Sequence, residues 1–193
     1  MKAVGFKKFG GPEVLEVMEL TDNAIGSDEI KIQNYASAVN PTDIVSRSGL
    51  IKHFIKDFSL PCVPGMDFAG IVIEVGENVK TGIKVGESVM GMVMPNGIHG
   101  AYSDQLILNQ FAVVRIPKNA SFIEAATLPM NGLTARLSLD LLSLKKGQTI
   151  AVTGGPGAYG GYVIQLAKAD GLIVIADSNK SDHKLLKDLG ADH

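Results

Sequence analysis

The chain has 193 residues, which is room for one domain and a substantial part of a second. Its formal net charge of −2 carries no basic excess, which argues against nucleic acid as a partner. The single cysteine, Cys62, excludes an intrachain disulfide. Because no apolar run approaches the roughly 20 residues that span a bilayer, we expect no membrane association and a cytoplasmic protein.

Short β-type segments separated by glycines dominate the first part of the chain. Alternating or continuous apolar runs without long intervening helices indicate a barrel or sandwich-like domain. The predicted strands cover residues 1–8, 29–38, 70–75, 85–93, 102–108 and 111–116.

Helical signals replace this pattern from residue 121. Ser121-Phe122-Ile123-Glu124 has the spacing of a capping box, and alanine-rich helical sequence follows it. Pro129 predicts a break before a second helix over about 131–143, which the cations and glycine of Lys145-Lys146-Gly147 end.

A glycine loop between two apolar strands is the most informative feature of the chain. A strand over 150–153 runs into Gly155-Pro156-Gly157-Ala158-Tyr159-Gly160, and a helix over 162–170 and a strand over 172–176 follow. The second strand ends on Asp177. Strand, G-x-G-x-x-G turn, helix, strand and acid together indicate a dinucleotide-binding site, since the glycines admit a pyrophosphate and the helix N-terminus attracts it.

The α/β part predicted from this loop has only two parallel strands and a last short helix over 184–189, capped by Ser181 or Asp182. Two strands do not bury both faces of a doubly wound sheet. We therefore expect the opening part of a larger α/β domain, and so an apparent fragment. The alternative is a small complete protein with a minimal α/β lobe.

Six segments occur in an order that resembles the medium-chain dehydrogenase/reductase superfamily, in its zinc-independent quinone oxidoreductase branch. This resemblance implies an α/β protein overall, with a GroES-like β-barrel substrate domain over 1–120. A helical bridge and the N-terminal part of a Rossmann domain over 121–193 would follow, with the active cleft between the two domains. The segments are Val39–Asp43, Pro64–Gly70 with Val75-Gly76, Val85–Val89, Gly100–Tyr102, Leu133–Ala135 and the glycine loop.

The same resemblance bears on metal binding. Where zinc-dependent relatives have a cysteine and a histidine as ligands, this chain has Asn40 and Met66. Neither an amide nor a thioether is a good zinc donor, so we predict no metal. The four histidines show no ligand spacing and are predicted to be surface residues: His53, His99, His183 and His193.

The resemblance implies hydride transfer from NADPH to a small-molecule quinone or α,β-unsaturated carbonyl. Asn40 is the candidate catalytic residue, and its alternative role is that of a turn residue before Pro41. Two rival functions stay open: an enoyl reductase acting on acyl thioesters, and a non-catalytic NADPH-binding protein. The full-length protein is expected to be a homodimer, and the 193-residue form is not expected to be fully competent.

The candidate cofactor-binding residues lie on the helical bridge, the glycine loop and the segment after its second strand. A carboxylate at residue 177 favours NADH, whereas the family and a nearby lysine favour NADPH, which is the expected cofactor. We expect Asp43 and Asp67 to be structural and Cys62 to be inert. The candidates are Thr134, Gly155, Gly157, Ala158, Tyr159, Gly160, Asp177 and Lys180.

Overall fold

The computed structural model of the protein describes residues 1–53 and 58–193, and the predicted surface position of the His53 side chain lies outside this description. The described residues form two compact units, Met1–Pro129 and Met130–His193.

An antiparallel sheet of five strands is the main element of the first unit. In spatial order it runs β6-β3-β4-β5-β7, and a separate two-stranded antiparallel ribbon pairs β1 with β2. The seven strands are β1 (Lys2–Gly5), β2 (Glu16–Glu19), β3 (Glu29–Ser37), β4 (Asp67–Val75), β5 (Ser88–Met92), β6 (Gln105–Asn109) and β7 (Val113–Arg115).

The core of this unit lies on one face of the five-stranded sheet. Ile30 and Ile32 of β3 pack with Phe68 and Val72 of β4, and all four side chains are fully buried. Each such side chain contributes about 1.5–3 kcal/mol of burial free energy, so this cluster stabilises the pairing of β3 with β4. Phe68 is the second residue of β4, so the buried cluster also holds the start of this strand in place.

Two short helices also belong to the first unit. Helix α1 (Pro41–Ser48) begins after Asn40 as its N-cap, with proline in its first turn, and ends at Gly49 in the left-handed conformation, φ 85°. Helix α2 (Phe122–Ala126) begins with the predicted capping box: the Ser121 N–H donates to Glu124 at 2.8 Å, and the Glu124 N–H donates to Ser121 Oγ at 3.2 Å.

Helix α2 packs against the five-stranded sheet. Its Ala125 and Ala126 are buried with Ala69 of β4. Residues 121–129 thus lie within the first compact unit, whereas the predicted domains were divided after residue 120. Small alanine side chains allow the close approach of helix and sheet that draws this segment to the first unit.

The second unit is built on two parallel strands, β8 (Thr149–Val152) and β9 (Ile173–Ala176). Helices α3 (Pro129–Leu142), which begins at the boundary, α4 (Ala158–Ala169) and α5 (His183–Leu189) accompany them. Residues 192–193 lie alongside β9: the Asp192 N–H donates to the Val174 carbonyl at 2.9 Å, and the Ala176 N–H donates to His193 O at 2.8 Å. In the described part of the chain, no helix has both the length and the apolar character needed to cross a membrane.

Candidate functional site

Four polar side chains meet inside the first unit, and we call them the Asn40 cluster: Asn40, Asp43, Asp67 and Tyr102. Asn40 and Asp43 come from the start of α1, Asp67 opens β4, and Tyr102 precedes β6. Relative exposure is 4% for Asn40, 5% for Asp43 and 0% for Asp67. Buried groups of this kind are retained only where hydrogen bonds compensate for lost hydration.

The amide of Asn40 is anchored by a carboxylate. Its Nδ2 donates to Asp67 Oδ2 at 2.6 Å, a charge-assisted bond in a site closed to solvent. Asp67 in turn is held by the pairing of β4 with β5, where it lies opposite Met92. This bond therefore sets the orientation of the Asn40 amide relative to the sheet.

Asp43 joins three separate segments. Its carboxylate accepts from the Asn40 N–H at 2.7 Å, from the Gly65 N–H at 2.9 Å and from the Tyr102 hydroxyl at 3.1 Å. The first of these bonds caps the N-terminus of α1, which is a structural role of the kind expected for Asp43. The other two extend that role to the loops on either side of β4 and β5.

The contact between Gly65 and Tyr102 requires a glycine. Gly65 has φ +96°, and a Cβ atom on it would come within about 2.4 Å of Cδ1 of the Tyr102 ring. Backbone bonds fix this approach, since the Tyr102 N–H donates to Pro64 O at 3.0 Å and the Ala101 N–H to Gly65 O at 2.8 Å. Any side chain at residue 65 would displace Tyr102 from Asp43.

Asn40 and Met66, which stand where zinc-dependent relatives have ligands, are engaged in other contacts. Thr42 Oγ1 donates to the thioether of Met66 at 3.3 Å, and Asn40 is bound to Asp67. Among the side chains that the structure describes, no three from His, Cys, Asp or Glu gather as metal ligands would. The donor set at Asn40 and Met66 is a poor match for zinc.

In the second unit the glycine loop forms the turn from β8 into α4. Gly154, which precedes the G-x-G-x-x-G motif, adopts the left-handed conformation with φ +68°, and its carbonyl accepts from the Gly157 N–H at 3.0 Å. Gly160 lies inside α4, where a Cβ atom would come within about 2.4 Å of Gly154 O. The glycine loop and the first turn of α4 therefore approach so closely that a side chain at Gly160 would not fit between them.

This arrangement suits a dinucleotide. Gly157 is the N-cap of the twelve-residue helix α4, so the backbone at Ala158 opens a helix N-terminus beside the turn. A groove next to it is lined by Gly154, Pro156, Asp177, Ser178, Asn179 and Asp182. The residues present are thus compatible with the pyrophosphate and one ribose of a dinucleotide.

Three further candidates have the following positions. The exposed Tyr159 donates its hydroxyl hydrogen to Ser138 Oγ of α3 at 2.8 Å, which ties the glycine loop to that helix. Thr134 donates to the Met130 carbonyl at 2.6 Å, the back-bonding typical of helical threonine. Lys180 is exposed, in a 3₁₀ turn over Lys180–Asp182, and does not line the groove beside Asp177.

Two partners in these arrangements were not among the candidate site residues. Tyr102 entered the sequence analysis only as part of the Gly100–Tyr102 segment, whereas its hydroxyl donates to Asp43. Ser138, which receives the Tyr159 hydroxyl, had no signal in the sequence beyond its place on a helix four residues after Thr134.

Comparison with known proteins gives a consistent set of relatives. The family described as "Alcohol dehydrogenase GroES-like domain" matches residues 26–118. The 2-methylene-furan-3-one reductase of Solanum lycopersicum is 37% identical over 200 residues, which is 100% of this chain and 51% of that protein. The chloroplastic NADPH-dependent alkenal/one oxidoreductase of Arabidopsis thaliana is 34% identical over 202 residues, again 100% and 51%.

A solved structure agrees with these relatives. The quinone oxidoreductase of Coxiella burnetii superposes with a TM-score of 0.85 at 33% identity, covering 100% of this chain and 61% of that one. The chain thus spans about half the length of the curated relatives named above.

The chain belongs to the medium-chain dehydrogenase/reductase superfamily, in its quinone oxidoreductase branch. The predicted α/β class with a GroES-like N-terminal domain is confirmed.

Proposed function

We propose that the protein is an NAD(P)H-dependent reductase that transfers hydride to a quinone or an α,β-unsaturated carbonyl. The observation that carries the proposal is the buried Asn40 amide held by Asp67 at 2.6 Å, at the position where zinc-dependent relatives have a cysteine. A neutral amide in place of a thiolate suits the reduction of an electron-poor acceptor. The relatives named above are a 2-methylene-furan-3-one reductase, an alkenal/one oxidoreductase and a quinone oxidoreductase, which supports this choice of acceptor.

A bound reduced nicotinamide would supply the hydride. The role we propose for Asn40 is to orient the acceptor carbonyl and to stabilise the negative charge that develops on its oxygen. Asp67 and Asp43 are positioning residues in this scheme, because one anchors the amide and the other accepts from the Asn40 backbone N–H. An amide that is already oriented loses little entropy when the acceptor reacts.

The glycine loop is proposed to bind the dinucleotide. The backbone from Gly155 to Gly160 would meet the pyrophosphate, and Asp177 would meet the adenosine ribose. The resemblance and the NADPH-dependent Arabidopsis relative favour NADPH, whereas the carboxylate favours NADH. A cytoplasmic location, a homodimer in the full-length protein and zinc independence also stay predictions.

The test is turnover by the full-length protein with NADH and NADPH, each combined with benzoquinone, cyclohexenone and crotonyl-CoA. Asn40→Ala is expected to lower kcat for the accepted substrate on the order of a hundredfold, as loss of an oxyanion-stabilising donor does. Asn23→Ala, at an exposed loop position, is the matched control and should leave kcat unchanged.

Three results would overturn the proposal. Thermal stabilisation by a nucleotide without consumption in any combination would make the protein a non-catalytic nucleotide-binding protein. Preference for crotonyl-CoA over both other acceptors would make it an enoyl reductase on acyl thioesters. Equal kcat in Asn40→Ala and wild type would remove Asn40 from the chemistry.

A further inference from the structure

We infer that the groove beside Asp177 selects a dinucleotide with a free 2′-hydroxyl on its adenosine ribose, NADH, over the 2′-phosphorylated NADPH. The inference rests on the proposed dinucleotide site and opposes the cofactor that the family resemblance implies. It concerns one groove within the second unit, lined by Gly154, Pro156, Asp177, Ser178, Asn179 and Asp182.

The carboxylate of Asp177 is fixed in place rather than free to turn away. Its Oδ1 accepts from the Gly154 N–H at 2.6 Å, and its own N–H donates to the Val152 carbonyl at 3.3 Å. These bonds tie it to the end of β8 and to the left-handed glycine of the turn. A ribose diol donates hydrogen bonds to a carboxylate so placed, whereas a 2′-phosphate has only acceptors to offer it.

The charge of the groove also opposes a phosphate. Two of its six lining residues, Asp177 and Asp182, are acidic, and none of the six is a lysine or arginine. A 2′-phosphate carries up to two negative charges near neutral pH, and like charges brought together at a binding site oppose binding. Sites that accept NADPH place a cation here.

The lysines nearest in sequence do not supply that cation. Lys180 is the first residue of the 3₁₀ turn, and it is not part of the groove lining. Lys184 pairs with Asp188 at 2.6 Å on α5. Lys187 lines a different cavity, formed with Ala176, Leu186 and the last residues of the chain.

The test measures binding of two probes that lack the nicotinamide, ADP-ribose and 2′-phospho-ADP-ribose, by calorimetric titration of the full-length protein. ADP-ribose is expected to bind at least about tenfold more tightly. Asp177→Ser should reduce that ratio toward one or invert it. Asp28→Asn removes the same charge from an exposed turn of the first unit, and it should leave the ratio unchanged.

Equal or tighter binding of the 2′-phosphorylated probe overturns the inference and leaves the proposed dinucleotide site intact. Binding of neither probe overturns the dinucleotide site itself, and the inference with it. If Asp177→Ser fails to fold because the Gly154 bond is lost, Asp182→Asn carries the test. A ratio unchanged in that variant and in a folded Asp177→Ser protein also counts against the inference.

Discussion

The hydroxyl of Tyr102 donates to the buried carboxylate of Asp43 at 3.1 Å, across 59 residues of sequence. Burial first, and then the charge of Asp43, raises the pKa of this phenol above its ordinary value. Tyr102 therefore keeps its proton and acts as a fixed hydrogen-bond donor. Its role is that of a positioning residue, since Asp43 also receives the N–H of Asn40.

We predict that Tyr102→Phe lowers the free energy of unfolding by about 1–2 kcal/mol, because Asp43 stays buried with one donor fewer. Urea denaturation of the full-length protein measures the change. The matched control is Tyr35→Phe on β3, where the ring is exposed and stacks on Phe122. Equal losses in the two variants would contradict a specific role for the Asp43 bond.

The thiol of Cys62 provides a pH-dependent prediction. Burial, and secondarily the charge of Asp43, raises the pKa of Cys62 from its ordinary 9.0 to about 12. Between these values the unfolded thiol loses its proton while the native thiol keeps it, so the unfolded state is favoured as pH rises. Stability should therefore fall above pH 9.0, and more steeply in wild type than in Cys62→Ala.

Denaturation midpoints measured at several pH values above neutrality test this slope, with the neutral-pH midpoints as the reference for each protein. Parallel curves for wild type and Cys62→Ala would show that the thiol does not contribute. Slow labelling of the native protein by a thiol reagent, and fast labelling after unfolding, is the accompanying expectation.

Local signals explain which elements were predicted well. The Ser121–Glu124 capping box and the β8-turn-α4-β9 order are encoded within short stretches, so the sequence shows them directly. The start of α4 was placed too late, at residue 162 instead of Ala158. Glycines are poor helix formers, but Gly160 and Gly161 are buried, and close packing offsets their low propensity.

Strand ends were less accurate for a related reason. Residues 85–93 were predicted as one strand, whereas β5 covers only Ser88–Met92. Gly86 has φ +88°, so the chain turns there before the strand begins. The apolar run indicates that a strand is present. Where the strand begins depends on the backbone conformation of Gly86, which the apolar pattern does not reveal.

The contacts between distant segments within the Asn40 cluster could not be predicted from the sequence. The family resemblance indicated Asn40, but its bond to Asp67 depends on how α1 meets the start of β4. The Tyr102–Asp43 bond likewise needs the close approach at Gly65. Such pairs are set by tertiary packing, which no spacing within a segment encodes.

Metal content gives a third prediction. Because Asn40 and Met66 stand in place of zinc donors, we expect the full-length protein to bind no stoichiometric zinc. Elemental analysis after incubation with zinc and desalting measures this, and the untreated protein is the control. A chelator should leave both turnover and the thermal midpoint unchanged. One zinc ion per chain would contradict the prediction.

The tight contact between the glycine turn and α4 gives the fourth prediction. Gly160→Ala would place a Cβ atom within about 2.4 Å of Gly154 O, so we expect a loss of about 1–3 kcal/mol in stability and weaker thermal stabilisation by NADH. Gly132→Ala in α3 is the matched control: apart from its chain neighbours and the adjacent backbone of its own helix, no atom lies within 4 Å of its added Cβ, and the change should stabilise the helix by about 0.5–1 kcal/mol. Thermal denaturation with and without NADH compares the two. A Gly160→Ala protein as stable as wild type, with undiminished stabilisation by NADH, would show that the turn does not need this glycine to hold the dinucleotide.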